Sequence, residues 1–189
     1  MFEGHGDHRF PDRLFVAGDR LYANWWDLGM AIVDVSNPAQ PDLIGSFEGY
    51  GETTSHSSWV TQVGPRTIAV HGDEQWGAHV QIVDVTEGSV DFGNALAEWE
   101  TRPEVSIHNV MAMGDRAILS HYQDGVRILD LSAPTAPVEI AHFDTYPGYD
   151  RRYGYNFFEG AVGIDLDPAT GRIYVADSHR GLLILHLDR

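Results

Sequence analysis

Histidine and carboxylate side chains in this sequence have the chemistry of a divalent metal site. The chain holds ten histidines and 28 acidic residues. His56 and His108 offer imidazole nitrogens, and Glu74 offers a carboxylate that could serve as a ligand or a general base. These donors suit a borderline divalent ion such as zinc, iron, manganese or copper. Tyr122 or Asp124 could hydrogen-bond to the ligands or complete the site.

Four copies of a β-rich segment must position these residues. Their anchor glycines are Gly18, Gly64, Gly114 and Gly171, which by subtraction of residue numbers lie 46, 50 and 57 residues apart. A β-rich repeat of this period is typical of a propeller blade rather than of a helical solenoid. Each copy is predicted to form strands a to d, and in the first copy these are about Leu14–Ala17, Leu21–Trp25, Met30–Val35 and Asp42–Phe47. Gly, Pro, Asn and β-branched residues interrupt every window that could hold a helix.

The sequence therefore predicts an all-β fold, a β-propeller of about four four-stranded antiparallel blades in a single domain. The predicted blades span about 12–49, 56–100, 108–144 and 160–189. The fourth copy ends after strand c, so we expect three complete blades and one without its outer strand. Phe2-Glu3-Gly4 repeats Phe47-Glu48-Gly49 and resembles the tail of a strand d. This favours the C-terminal part of a larger propeller over a four-bladed ring.

The propeller architecture predicts that distant polar residues meet. The loop that enters strand a and the loop between strands b and c open on the same face. The side chains predicted at this face are Asp12, Trp26, Asp27, His56, His71, Glu74, His108, Tyr122, Asp124, Glu159, Asp177 and His179. We expect His56, Glu74 and His108 to form the metal site and the others to contact a ligand. The alternative is that each histidine is structural and bonds within its own blade.

Aromatic residues suggest two further sites. Trp25, Trp26, Trp59, Trp76 and Trp99 could line a groove for a sugar or a peptide, or could pack between blades. The segment from Asp144 to Glu159 is longer than its counterpart after Phe47 and rich in aromatic residues. It could be a lid over the same face, or a connector that packs on itself.

The repeated strands resemble the LVIVD-repeat family. The residues that carry the resemblance are Ala31-Ile32-Val33-Asp34-Val35-Ser36-Asn37-Pro38, Gln81-Ile82-Val83-Asp84-Val85 and Val126-Arg127-Ile128-Leu129-Asp130-Leu131-Ser132-Ala133-Pro134. The fourth copy departs from the pattern, because His186 stands where the others have Asp34, Asp84 and Asp130. The resemblance implies a propeller of bacterial or archaeal surface type, and leaves the function open.

Composition limits the partners. The formal net charge is -16 and all 12 basic residues are arginine, which argues against nucleic acids and anionic membranes as partners. The charge suits a protein that stays soluble at high salt, although codon bias would give the same arginines. There is no cysteine, and no apolar run is long enough to cross a membrane. The N-terminus has no signal-peptide pattern.

These observations lead to two functional hypotheses. The first is a binding or interaction module, cell-surface or extracellular, whose partner is an unidentified protein, peptide or carbohydrate. The second is a metal-dependent enzyme whose His and carboxylate site lies at the mouth of the propeller channel.

Overall fold

The fold consists of antiparallel β-sheets. The computed structural model describes residues 11–49, 54–75, 77–146 and 158–187. They form fifteen strands in four sheets, three of four strands and one of three, and no α-helix occurs in this part of the chain. The predicted all-β fold is confirmed, and within the described ranges three blades are complete and the fourth has three strands. No helix in the described ranges is long and apolar enough to span a membrane.

Within each blade the strands follow one another in chain order. Blade 1 consists of β1 (Pro11–Ala17), β2 (Arg20–Trp25), β3 (Gly29–Asp34) and β4 (Asp42–Phe47). Blade 2 consists of β5 (Ser55–Val63), β6 (Arg66–Asp73), β7 (Val80–Asp84) and β8 (Ala95–Trp99). Blade 3 consists of β9 (Asn109–Met113), β10 (Arg116–Ser120), β11 (Val126–Asp130) and β12 (Val138–Phe143). Blade 4 consists of β13 (Ala161–Asp167), β14 (Arg172–Asp177) and β15 (Gly181–His186).

The aspartate that ends the third strand of a complete blade builds the following turn. Its side-chain oxygen accepts a hydrogen bond from the backbone N–H two residues later, which is a typical Asx turn. The pairs are Asp34 with Ser36 (2.8 Å), Asp84 with Thr86 (2.7 Å) and Asp130 with Ser132 (2.7 Å). Hydrogen bonds from Ser36 and Ser132 hold the pKa of Asp34 and Asp130 below the usual range. His186 occupies the corresponding place in blade 4.

Apolar side chains fill the space between consecutive blades. Met30 and Ile32 of blade 1 share one buried cluster with Val83 of blade 2. Val126 and Ile128 of blade 3 share another with Ile164 and Val175 of blade 4, and a third cluster joins blades 2 and 3. The third strands of blades 2 and 3 are therefore covered on both faces, which explains their almost continuous runs of apolar residues.

Polar bonds link the first strand of blade 2 to the blades on either side. Asn24 Nδ2 donates to Ser58 Oγ across blades 1 and 2 at 3.0 Å. The backbone N–H of Val110 donates to Ser57 Oγ at 3.1 Å across blades 2 and 3. These bonds satisfy polar groups that are buried near the centre of the molecule, and they fix the positions of the strand entries.

Candidate functional site

A β-bulge at the start of the first strand shapes the centre of the site. In blades 1, 2 and 4 the pairing of the first two strands skips one residue. The skipped residues are Asp12, His56 and Val162, respectively. In blade 3 the corresponding residue is His108, which directly precedes the first paired residue, Asn109. A bulge redirects the side chain of the unpaired residue. Each blade thus presents one residue at the same position near the centre.

Three predicted ligands converge at this position. His56, Glu74 and His108 each offer a donor atom, and these atoms lie within 4.8 Å of one another. His56 Nδ1 is 3.4 Å from Glu74 Oε2, and His108 Nε2 is 3.7 Å from Glu74 Oε1. Ligands about 2.0–2.1 Å from a tetrahedral zinc ion lie about 3.3–3.5 Å from one another. The separation of His108 Nε2 from Glu74 Oε1 is therefore close to the one that a single ion would require, and His56 would contribute its Nε2, because its Nδ1 bonds to Asp12.

The backbone of blade 4 orients the ring of His108. His108 Nδ1 lies 2.8 Å from the carbonyl oxygen of Val162. Asn109 Nδ2 lies 2.9 Å from the same nitrogen but can donate to the Val162 oxygen instead. A carbonyl oxygen only accepts, so the contact with Val162 favours the neutral tautomer with the hydrogen on Nδ1 and the lone pair of Nε2 toward Glu74. Burial, followed by the neighbouring charge of His56, lowers the pKa of His108. The neutral form that can bind a metal therefore prevails at neutral pH.

His56 is held by a carboxylate on one side. Its Nδ1 hydrogen-bonds to Oδ2 of Asp12 in blade 1. Its Nε2 is buried and has no hydrogen-bond partner within the described ranges. The edge of the Trp26 ring faces the imidazole, with the centroids 6.4 Å apart, and the rings of His56 and His108 lie 4.4 Å apart. A histidine that a carboxylate orients in this way is a common metal ligand.

Tyr122 supports the carboxylate from the other side. Its hydroxyl donates to Oε1 of Glu74. Burial, together with the hydrogen bond to Glu74, raises the pKa of Tyr122, so the hydroxyl stays protonated. Its role is therefore that of a hydrogen-bond donor to Glu74. The residue has a φ of 44°, and a Cβ on Gly160 would lie 2.3 Å from the Tyr122 carbonyl oxygen, which shows how closely blades 3 and 4 meet here.

His71 and Asp124 lie elsewhere. His71 is fully buried, its Nε2 is 2.8 Å from Ser55 Oγ, and burial lowers its pKa, as expected of a structural histidine. Burial acts to raise the pKa of Asp124, but hydrogen bonds from Arg102 and Thr101 hold it below the usual range. Asp124 borders a separate polar cavity of about 370 Å³. The cavity is lined by Arg102, Gln123, Asp124, Arg127, Asp144 and Tyr146.

The predicted residues of blade 4 form their own small cluster. His179 Nε2 is 2.9 Å from Glu159 Oε2, and the Tyr146 hydroxyl donates to the same oxygen at 3.1 Å. Asp177 Oδ1 accepts from the backbone N–H groups of His179 and Arg180, both at 2.8 Å, and so shapes the turn. We expected Glu159 at the entry to the first strand of blade 4. The structure gives that position to Val162 instead.

The other predicted residues have varied surroundings. Asp27 has a buried Oδ2 without a hydrogen-bond partner in the described ranges. Trp59 packs on Phe15 at 4.4 Å, and Trp99 meets the buried His121 edge-on, so both contribute to packing. Trp76, the Phe2-Glu3-Gly4 segment and residues 147–157 of the expected lid lie outside the described residues.

Sequence reasoning missed three contributors to the site. The Val162 carbonyl oxygen accepts from Asn109 Nδ2 at 3.0 Å as well as from His108. Arg13 of blade 1 donates to Asn109 Oδ1 of blade 3, which joins two blades that are not consecutive. A backbone carbonyl leaves no signal in the residue type. Arg13 and Asn109 directly follow Asp12 and His108. Alignment of the four repeats at the entry to their first strands would therefore have indicated both residues.

Comparison with known proteins identifies the repeat and the fold. The LVIVD repeat family model matches residues 12–49 and 108–145. No curated protein matches the sequence. Among solved structures, the computationally designed Ika4 protein aligns with a TM-score of 0.67 at 9% identity, over 98% of this chain and 96% of that chain.

Two natural propellers resemble the chain over part of their length. The Cps50 (Swd1) β-propeller domain of Myceliophteria thermophila aligns with a TM-score of 0.65 at 11% identity, over 98% of this chain and 54% of that chain. BamB from Moraxella catarrhalis aligns with a TM-score of 0.59 at 12% identity, over 93% and 44%. This chain therefore spans about half the length of these natural propellers. The protein carries LVIVD repeats in a chain that folds as a β-propeller.

Proposed function

We propose that the protein is a binding module that holds a divalent cation between His56, Glu74 and His108. The observation that carries the proposal is the convergence of their donor atoms within 4.8 Å of one another. The buried Nε2 of His56 lacks a hydrogen-bond partner in the described ranges. An unsatisfied buried polar atom costs about 1–3 kcal/mol, and a bound ligand would remove that cost.

The donor set favours a borderline ion. Two imidazoles and one carboxylate are typical ligands of zinc, and they also suit iron, manganese or copper. Asp12 and Glu74 add negative charge beside the imidazoles, so the local field attracts a cation. Tyr122 and the Val162 carbonyl orient Glu74 and His108, as partners of metal ligands commonly do.

The wider role follows from the fold and the repeat. β-Propellers with LVIVD repeats suggest an interaction or scaffold module, and this is the class to which we assign the protein. We extend the proposal to a protein, peptide or carbohydrate partner that binds on the face around the cation. We also propose, from the family resemblance alone, that this module acts at the cell surface or outside the cell.

One feature favours a metal-dependent enzyme as the second candidate. Three protein ligands leave a coordination position for a substrate or solvent molecule, as in catalytic rather than structural zinc sites. In that case Glu74 would act as a ligand or as a general base, and Tyr122 would keep it oriented.

The test is a calorimetric titration of chelator-treated protein with Zn²⁺ and, separately, Mn²⁺. We expect one ion per chain. Glu74→Gln should weaken binding at least tenfold because it removes the charge while it still accepts from Tyr122. His108→Ala should abolish binding. The matched control is His142→Ala, because His142 is an exposed histidine on β12, outside the site.

The variants also separate binding from folding. His108→Ala loses the bond to Val162, which should cost about 1 kcal/mol, so its fold must be checked by circular dichroism. Glu74→Gln leaves that bond intact. Absence of binding by the wild type, or binding by Glu74→Gln and His108→Ala as tight as that of the wild type, would overturn the proposal.

A further inference from the structure

The outward face of blade 4 exposes residues that the other blades bury. Leu182 corresponds by strand pairing to Met30, Val80 and Val126. Those three are 0%, 0% and 1% exposed, whereas Leu182 is 68% exposed. Ile184 is 60% exposed, whereas its counterpart Ile128 is 5% exposed. In blades 1 to 3 this face lies against the next blade, so blade 4 presents a face that is shaped to receive one.

Blade 1 shows the opposite face. Leu14 lies two residues after the bulged Asp12 of blade 1. Its counterparts, two residues after His56, His108 and Val162, are Ser58, Val110 and Ile164. Those three are 2%, 1% and 9% exposed, but Leu14 is 57% exposed. Val16, two residues farther along β1, is 59% exposed. Blade 1 thus presents the surface that each later blade packs against its predecessor.

The two open faces are complementary. Where blades 3 and 4 meet, Val126 and Ile128 pack in one cluster with Ile164. Val126 and Ile128 are the counterparts of Leu182 and Ile184, and Ile164 is the counterpart of Leu14. The contact between blades 3 and 4 is therefore a template for a contact between the blade 4 face and a blade 1 face. Both faces are exposed in one chain, so they do not cover each other within it.

We propose that a second copy of this chain covers both faces. The blade 4 face of each copy would pack against the blade 1 face of its partner, so that two such contacts close a two-fold ring. A head-to-tail contact of this kind uses two different surfaces and ends growth only when the ring closes. The inference is independent of the proposed cation site, because neither face contains a residue of that site.

Light scattering coupled to size exclusion tests this arrangement. We expect a mass twice that of the 21.0 kDa chain. Leu14→Arg and Leu182→Arg should each shift the protein toward the monomer, because each places a charge in both contacts. Val90→Arg is the matched control, since Val90 is 95% exposed and lies between β7 and β8 of blade 2, which contributes to neither face.

Mixing the two variants gives the sharper result. A pair of one Leu14→Arg chain and one Leu182→Arg chain carries both changes in one contact and leaves the other contact as in the wild type. We expect the mixture to form more dimer than either variant alone. A monomeric wild type, open-ended oligomers, or a dimer that Leu14→Arg leaves unchanged would overturn the proposal. Thermal melts of all variants confirm that each one is folded.

Discussion

His121 is a buried histidine that makes no hydrogen bond through its ring within the described ranges. It is fully buried beside Trp99, and neither ring nitrogen has a partner there. Burial lowers the pKa of His121 to about 4, and the nearby Asp124 only partly opposes that effect, while Arg127 and Arg102 add to it. Protonation inside the fold is therefore strongly disfavoured.

This burial predicts a loss of stability in acid. The folded-state pKa lies below the unfolded value of 6.5, so on acidification the unfolded chain takes up the proton first. The free energy of unfolding should therefore fall as the pH drops from about 6.5 to about 4, by up to about 3 kcal/mol from this residue. His121→Phe should flatten the curve over this range. Urea unfolding at several pH values measures it.

The control for the acid prediction is a histidine that water can reach. His142→Phe should leave the pH dependence as in the wild type, because His142 is exposed. His71 is also buried with a lowered pKa, so a residual slope of the same sign should survive in His121→Phe. Parallel curves for the wild type and His121→Phe would contradict the prediction.

At the residue level, the sequence predicted the three candidate ligands that converge, but not the groups that orient their side chains. His56, Glu74 and His108 were found because the repeat aligns the strand entries and the loops after the second strands. The bulge that redirects Asp12, His56 and Val162 has no mark in the residue types. His71 and His121 were indistinguishable from ligands by type, because burial depends on how neighbouring blades pack.

At the element scale, a glycine stands at, or directly before, the start of the third strand in blades 1, 3 and 4. Gly29 has a φ of +82°, and a Cβ there would lie 2.0 Å from the Phe47 carbonyl oxygen of β4. Gly125 stands in the same relation to Phe143 in blade 3, at 2.2 Å. Gly181 has a φ of +72° but nothing within 4 Å. The close approach therefore goes with the outer strand, which the described part of blade 4 lacks.

These contacts predict unequal costs for the same substitution. Gly181→Ala should cost about 1–2 kcal/mol, because the positive φ alone is unfavourable. Gly29→Ala should cost several kcal/mol, because it must also displace β4. Gly18→Ala, with a φ of +58° and open space, is the control and should resemble Gly181→Ala. Equal losses in chemical denaturation for Gly29→Ala and Gly18→Ala would refute this account.

The elements themselves were the most predictable part of the fold. The anchor glycines Gly18, Gly64, Gly114 and Gly171 all lie in tight turns with positive φ, between the first two strands of their blades. Turn chemistry is local, and so the sequence reveals it. The length of β5 was not predictable, since it depends on pairing with β6 up to Asp73.

At the scale of the whole molecule, charge dominates. There are 28 acidic residues against 12 arginines, which leaves a net charge of -16. Four described arginines form ion pairs with carboxylates, namely Arg20, Arg66, Arg102 and Arg127. The acidic residues outnumber these partners, so the folded state retains a net repulsion.

We therefore predict that salt stabilises the fold. At about 1 M salt the Debye length falls to about 3 Å, and repulsion between surface carboxylates is screened. The melting temperature should rise between low salt and molar potassium chloride. Sodium chloride at equal ionic strength is the control and should give the same rise if screening is the cause. A flat or falling melting temperature would favour codon bias as the origin of the arginine-only composition.

The bulge at the strand entries also has an evolutionary consequence. Because the bulged residue stands outside the ladder of hydrogen bonds, the identity of its side chain is not set by strand pairing. The residues at the four corresponding positions are Asp12, His56, His108 and Val162. Duplication of a blade would reproduce its strands and its bulge. A later substitution of the bulged residue would then change which groups the site can bind. Architecture and ligand preference can thus diverge at separate rates within one gene.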